Sequence, residues 1–286
     1  MLPIPREGGT ISLGRVWKPI TCQNRDLEAE GGTDENTTLQ MVGAAQKAAH
    51  TDGGANRGGR PATALEVVVD ALFYRLRNAG PWRDLPGHFG PWETIYGWYR
   101  RLAREGIWDR LLSALARKAS SKIRLVDGTH VVAHQCAANP VGGAAAQAMG
   151  KTRGGRNTKI MAATDGRGLA VKLLLIEGQA YEGNHVIPLL ERPRGLKVVG
   201  DKGFDSDRLR GELESLGASH CFPSKANRKK KRRLARKLYR QRYKVENYFC
   251  RLKRWASTST RRDKLASHFL ALLQFASVID CLRYGV

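Results

Sequence analysis

No two cysteines in this sequence stand at a spacing that would bind zinc or build a disulfide framework. The five (Cys22, Cys136, Cys221, Cys250 and Cys281) are odd in number, far apart, and include no C-x-x-C pair. That pattern fits a reducing compartment and excludes a small disulfide scaffold or a zinc module. No apolar run approaches the ~18 residues needed to cross a bilayer, and neither a secretory signal nor a lipidation motif is visible. A cytoplasmic protein with no membrane partner is therefore expected. A G-x4-G-K-[ST] phosphate loop is also missing, so no nucleotide cofactor is expected. Acids are the other shortage: 26 Asp and Glu face 49 Lys and Arg, for a net charge of +23. Such an imbalance opposes compaction and points to a polyanionic partner.

The charge is local. Residues 1–59 hold 6 basic and 7 acidic side chains. Residues 225–264 hold 18 basic ones against Glu246 and Asp263 alone, a net of +16. Nucleic acid is the leading partner, because Lys and Arg contacts to phosphate supply most sequence-independent affinity.

Three regions follow from pattern. Residues 1–59, with stretches such as "EAEGGTDENTT", read as a poorly ordered extension. Residues 60–120 read as helical. Pro61 suits a first helical position, and Leu65, Val68, Val69, Leu72, Phe73 and Leu76 share a face. Two more helices follow, in "PWETIYGWYRRLAREG" and "WDRLLSALARKAS". Three short helices with tight turns and several arginines suit either a helix-turn-helix-like DNA reader or a plain helical cap. From 121 to 286 the period changes. "KIRLVDGTHVVA", "NTKIMAATD" and "LAVKLLLIEG" read as an antiparallel meander, and "LKVVGD" and "SHCFPS" as later strands separated by helices. The fold class expected is α/β, a mixed α+β sheet with helices on its faces, an arrangement similar to ribonuclease-H-like folds. A basic loop "KANRKKKRR", a long helix over 234–255 and a final helix from Asp263 to about Leu282 complete the chain.

Three carboxylates stand out. Asp127 interrupts an apolar strand and shares a face with Ile123, Leu125 and Thr129. A carboxylate there is costly to bury without a partner. Asp201 ends "LKVVG", at the carboxyl end of a parallel-type strand, where open α/β sheets build ligand sites. Glu246 is the single acid of the long helix. At 100° per residue, Tyr239, Arg242, Glu246 and Lys253 fall within an arc of roughly 60°. Each also has a plainer reading: a buried Asp on backbone donors, a strand-ending turn, an i,i+4 surface pair. Three acids meeting at one sheet edge would repel unless cations hold them. Oxygen-only ligands favour Mg²⁺ or Mn²⁺, two ions about 4 Å apart being the arrangement that clamps a phosphodiester.

These residues also carry a resemblance. "Y-x2-R-x3-E-x6-K" around Glu246, "VDGTHVVAHQ" around Asp127 and "DKGFDSD" around Asp201 resemble the blocks of bacterial DDE transposases of the insertion-sequence four/five superfamily, insertion-sequence-five-like group. "ALFYRLRNAGPWRDLPGHFGPWETIYGWYRRL", "RGGRNTKI", "SKANRKKKRR" and "STRRDKLASHFLALLQFAS" are similar to further blocks of that group, so the likeness runs over roughly 60–284. It implies a ribonuclease-H-like catalytic core behind an N-terminal helical domain, with metal-dependent DNA strand cleavage and transfer. It carries the catalytic and metal-binding roles onto Asp127, Asp201 and Glu246, and DNA contact onto Tyr239, Arg242 and Lys253. Lys159 and the run Lys229, Lys230, Lys231, Arg232 and Arg233 complete the expected DNA contacts. The partners implied are double-stranded DNA, both element ends and target, and a second copy of the chain as a homodimer. Two other readings remain open on sequence: a DNA-binding protein without catalysis, and a ribonuclease-H-like nuclease that only hydrolyses.

Overall fold

The computed structural model describes residues 63–118 and 121–285, together with Gly43. The extension at 1–59, Pro61 and Cys22 lie outside the described residues apart from that glycine.

Alternating apolar residues dictate the strands, and their pairing gives a mixed seven-stranded sheet. Its strands are β1 (Ile123–Ala133), β2 (Gly150–Thr152), β3 (Gly155–Thr164), β4 (Ala170–Glu177), β5 (Lys197–Val199), β6 (Ser219–Cys221) and β7 (Thr260–Arg261). β1 pairs antiparallel with β3, and β3 with β4. On its other side β1 is parallel to β5, which is parallel to β6. The order β4-β3-β1-β5-β6, with the last two parallel to β1, is that of a ribonuclease-H-like core. β2 is a short hairpin partner of β3 that the sequence pattern did not reveal.

Helices cover both faces. α1 (Leu65–Asn78), α2 (Trp92–Arg104) and α3 (Ile107–Lys118) precede the sheet. α4 (Val186–Leu190) and α5 (Asp207–Ser215) fill its crossovers. Ser206 caps α5, its Oγ accepting from Leu209 N, while Gly217 takes a positive φ of 73° just past the helix. The segment expected as one long helix is α6 (Arg236–Tyr239), a 3₁₀ turn at Arg240–Arg242, and α7 (Tyr243–Leu252). α8 (Ala266–Gly285) is last, and it is buried on nearly every side from Ala271 to Cys281.

Alternation along β1 splits the core. Leu125 and Val131 face a cluster shared with Val199, Val245, Phe249, Leu272 and Phe275. Val126 faces the other, with Val198, Leu189 and Leu209. α1–α3 bury Leu72, Tyr99 and Trp108 in the first cluster, the same one that α7 and α8 complete. The N-terminal helices thus share the core of the sheet. Trp82 packs on Tyr96 and Tyr99 at 5.2 and 4.9 Å between ring centroids. No helix of the described residues is long and apolar enough to cross a membrane.

Candidate active site

Strand pairing decides where the acids go. β1 pairs with β5 only at Ile123–Leu125, and with β7 only at Val132–Ala133. Between them this edge of β1 has no strand partner among the described residues. Asp127 sits in that gap. Leu125 is opposite Val199, so two residues further on Asp201 takes the register position opposite Asp127. Asp201 continues in extended backbone (φ −77°, ψ −178°). Gly200 permits this: a Cβ there would lie 2.7 Å from the Phe204 ring, on the opposite face.

α7 brings the third acid. Its Val245, Tyr248, Phe249 and Leu252 recur at helical spacing and are buried, each contributing roughly 1.5–3 kcal/mol. Polar contacts fasten it as well. Arg251 pairs with Asp280 of α8 at 2.7 and 2.9 Å and donates to Gly168 O at 2.8 Å. Tyr248 Oη shares a 2.8 Å hydrogen bond with Ser277 Oγ. The polar row of α6–α7 then lies along β1. Arg242 Nη2 donates to Glu246 Oε1 at 2.8 Å, and Nη1 reaches Asp127 Oδ2 at 3.4 Å. The Tyr239 ring lies 5.9 Å from that guanidinium. Lys253 Nζ donates to Thr129 Oγ1 at 2.7 Å and to His130 O at 2.9 Å.

Burial pushes the Asp127 carboxyl up to about 7. The Gly128 amide and Arg242 oppose that shift, while Asp201 and Glu182 add repulsion. Burial likewise lowers the Lys253 ammonium. Asp201 turns its Oδ1 onto Gly203 N at 2.7 Å. Tyr181 Oη donates to Gly203 O at 3.1 Å, tying the loop after β4 to this turn.

The expected meeting of three acids is only partly realised. Asp127 and Glu246 converge on one guanidinium, and Asp201 stands in register beside Asp127. Yet no three His, Cys, Asp or Glu side chains among the described residues form a group that could hold a metal ion. Asp201 is drawn back by its own turn, and Arg242 occupies the space between the other two. The donor chemistry still fits a hard divalent cation: all three are carboxylates, and two already share one positive partner.

Several expected DNA contacts are placed differently. Lys159 does not face outward. It is buried, with Nζ on Ala180 O at 2.9 Å and Glu182 Oε1 at 3.0 Å, because its position in β3 points it under the loop after β4. Arg242 and Lys253 spend their charge inside the site. Lys229, Lys230, Lys231, Arg232 and Arg233 are exposed, though Arg232 also reaches Asp207 at 3.2 Å. His134 lies past the end of β1 and accepts from Cys136 N.

Sequence reasoning missed what holds the basic loop. Asp205 is buried against Arg210 at 2.8 Å and Arg228 at 2.9 Å and accepts from Lys225 N. Its position beside the α5 cap was the signal available, but the distant partners were not.

A family model described as "Transposase DDE domain" matches residues 118–279, and one described as "Putative transposase of IS4/5 family" matches residues 46–112. The "Uncharacterized protein y4sN" of Sinorhizobium fredii is 38% identical over 86 residues, 30% of this chain and 69% of that one. The "Putative transposase for insertion sequence element IS6501" of Brucella ovis is 27% identical over 128 residues, 44% of this chain and 98% of that one. Among solved structures, a piggyBac transposase synaptic complex with hairpin DNA overlaps 87% of this chain and 72% of its own, at 10% identity and a TM-score of 0.48. A Mos1 transposase paired-end complex overlaps 68% of each chain at 14% identity and a TM-score of 0.24.

Proposed function

The chain belongs to the transposase DDE domain family, and from that premise we propose that it binds insertion-sequence ends, cuts them and joins them to target DNA. The observation carrying this reading is the convergence of Asp127 and Glu246 on one cationic group at the open edge of β1, with Asp201 in register beside them. Asp127, Asp201 and Glu246 would hold the metal. Bound Mg²⁺ or Mn²⁺, two ions in this reading, supplies the charge that activates a nucleophile and stabilises the leaving oxygen of a phosphodiester.

The other residues position and neutralise. Arg242 keeps the two carboxylates from repelling each other and, with Tyr239 stacked against it, lies where a phosphate of the cut strand would pass. Lys253 ties α7 to Thr129 and the His130 carbonyl, which keeps Glu246 level with Asp127. The exposed Lys229–Lys231 and Arg233 add phosphate contacts at a distance from the cut. No triphosphate is consumed, because each phosphodiester broken in transfer is replaced by another. The protein is expected to work on DNA in the cytoplasm as a homodimer.

Labelled element ends with Mg²⁺, incubated with wild type or Glu246→Gln, test the reading. The variant should bind the ends but neither cleave nor transfer them. Equal activity in the two proteins would sink the assignment of Glu246.

A further inference from the structure

We propose that the cleft between α2 and the first turn of α8 is a docking site for the phosphate backbone of duplex DNA, engaged without regard to sequence. The inference rests on the DNA-acting reading above. The cleft has a volume of about 670 Å³ and is lined by Gly97, Arg100, Arg101, Arg104, Ser267 and His268. The buried side of α2 is Ile95, Tyr99 and Leu102, so the arginines are not needed for its packing. Tyr99 Oη donates to His268 O at 2.6 Å and fastens the two walls together.

The charge in this cleft is largely uncompensated. Arg101 pairs with Glu105 at 2.8 Å. Arg100 lies over the Tyr96 ring at 5.8 Å. Neither Arg100 nor Arg104 forms an ion pair among the described residues. In the first turn of the 20-residue α8, Ala266 N is capped by Gln147 Oε1 at 2.7 Å, which leaves the amides of Ser267 and His268 to add dipoles of the same sign. Burial lowers the pKa of His268; Asp263 opposes this, and Arg100 adds a smaller lowering that places its guanidinium near the imidazole.

Gly97 points the same way. A glycine inside a helix costs roughly 1 kcal/mol relative to alanine. The fold gives no steric reason for it, since a Cβ at Gly97 would meet nothing within 4 Å. A bulky ligand lying close to the helix backbone would give one. Guanidinium groups, helix amides and a serine hydroxyl form a phosphate-binding set. No Asn or Gln, the side chains that read adenine, lines the cleft. Arginine can read guanine as well as bind phosphate, so the phosphate reading rests on the serine hydroxyl and helix amides set beside the guanidiniums; duplex DNA is the polyanion that a chain of net charge +23 is suited to hold.

The test uses the full chain and two duplexes of ~30 base pairs, an element end and a random sequence, titrated over a range of salt. The double variant Arg100→Ala, Arg104→Ala should reduce the slope of log K against log[salt] by about 1.8, at ~0.9 per phosphate lost, which is about 60-fold in affinity at ~0.1 M salt. The loss should be equal on both duplexes. Gly97→Glu should leave the melting temperature unchanged or raise it and still weaken both complexes, a pairing that a purely structural role does not produce. An unchanged slope in a variant whose wild-type parent binds DNA would overturn the cleft alone. Loss confined to the element end would overturn the sequence-independent contact in favour of base reading. A poly-glutamate peptide that binds wild type but not the double variant, with DNA binding unaltered, would overturn it in favour of a protein partner. A wild-type protein that binds neither duplex would overturn the cleft and the DNA-acting reading together.

Discussion

Replacing Asp127 with asparagine should change how stability depends on pH. Burial pushes this carboxyl up to about 7, against ~3.9 in an unfolded chain. Between those values the folded protein holds a proton that the unfolded chain has released. Stability therefore falls as pH rises through that window, by about 1.4 kcal/mol per unit. From about pH 5 to about pH 8 the loss is about 3 kcal/mol, and it is nearly complete one unit above the folded value. The side chain is only 19% exposed, so solvent screens little of the effect. The amide of the Asp127→Asn variant carries no such proton, while every other titration is common to both proteins. Urea unfolding of wild type and Asp127→Asn with chelator present, at about pH 5 and about pH 8, reads the difference. Wild type should lose about 3 kcal/mol more than the variant, or about 1 M in midpoint at an m-value of ~3 kcal/mol/M. Adding Mg²⁺ at the higher pH should restore part of the wild-type loss and little of the variant's, since a ligand of the native state stabilises it by mass action. Parallel pH profiles for the two proteins would refute the claim that Asp127 is a buried, strained carboxylate.

Three other perturbations have definite expected outcomes. Changing Lys229, Lys230 and Lys231 together to Ala should flatten the salt dependence of DNA binding by about 2.7 in slope, with no change in melting temperature, because all three are exposed. Asp205→Asn should cost about 3–5 kcal/mol in urea unfolding, since it leaves the buried Arg210 without its carboxylate. Burial raises the Asp205 pKa, but Arg228, the Lys225 amide and Arg210 outweigh it and hold it at about 2; this pH-dependent part of the contribution is present above the unfolded value and lost as pH falls through about 2, so the gap between the two proteins should narrow in strong acid. Gly168→Ala should lower the melting temperature: the residue has φ +88°, and a Cβ would lie 2.9 Å from Lys244 O, a backbone atom that cannot move aside without shifting α7. Strain of this kind costs roughly 1–3 kcal/mol.

The sequence by itself determined the elements and the residues that carry the chemistry. Alternation from Ile123 to Ala133 put Leu125 and Asp127 on one face, and the 3-then-4 spacing put Tyr239, Arg242, Glu246 and Lys253 in one row; both patterns are local and survive in the fold. Only the tertiary structure decided their partners. The parallel register of β1 with β5 sets Asp201 opposite Asp127, and the packing of α7 on α8 through Arg251 and Asp280 lays Glu246 along β1. The same packing put Arg242 between two carboxylates, pulled Lys159 inside under Glu182, and anchored the basic loop on Asp205. These contacts join residues up to 115 positions apart in the chain. Periodicity describes neighbours within a turn or a strand; which distant charges meet is settled by burial of apolar faces, and a charged side chain then takes whatever partner that burial leaves beside it.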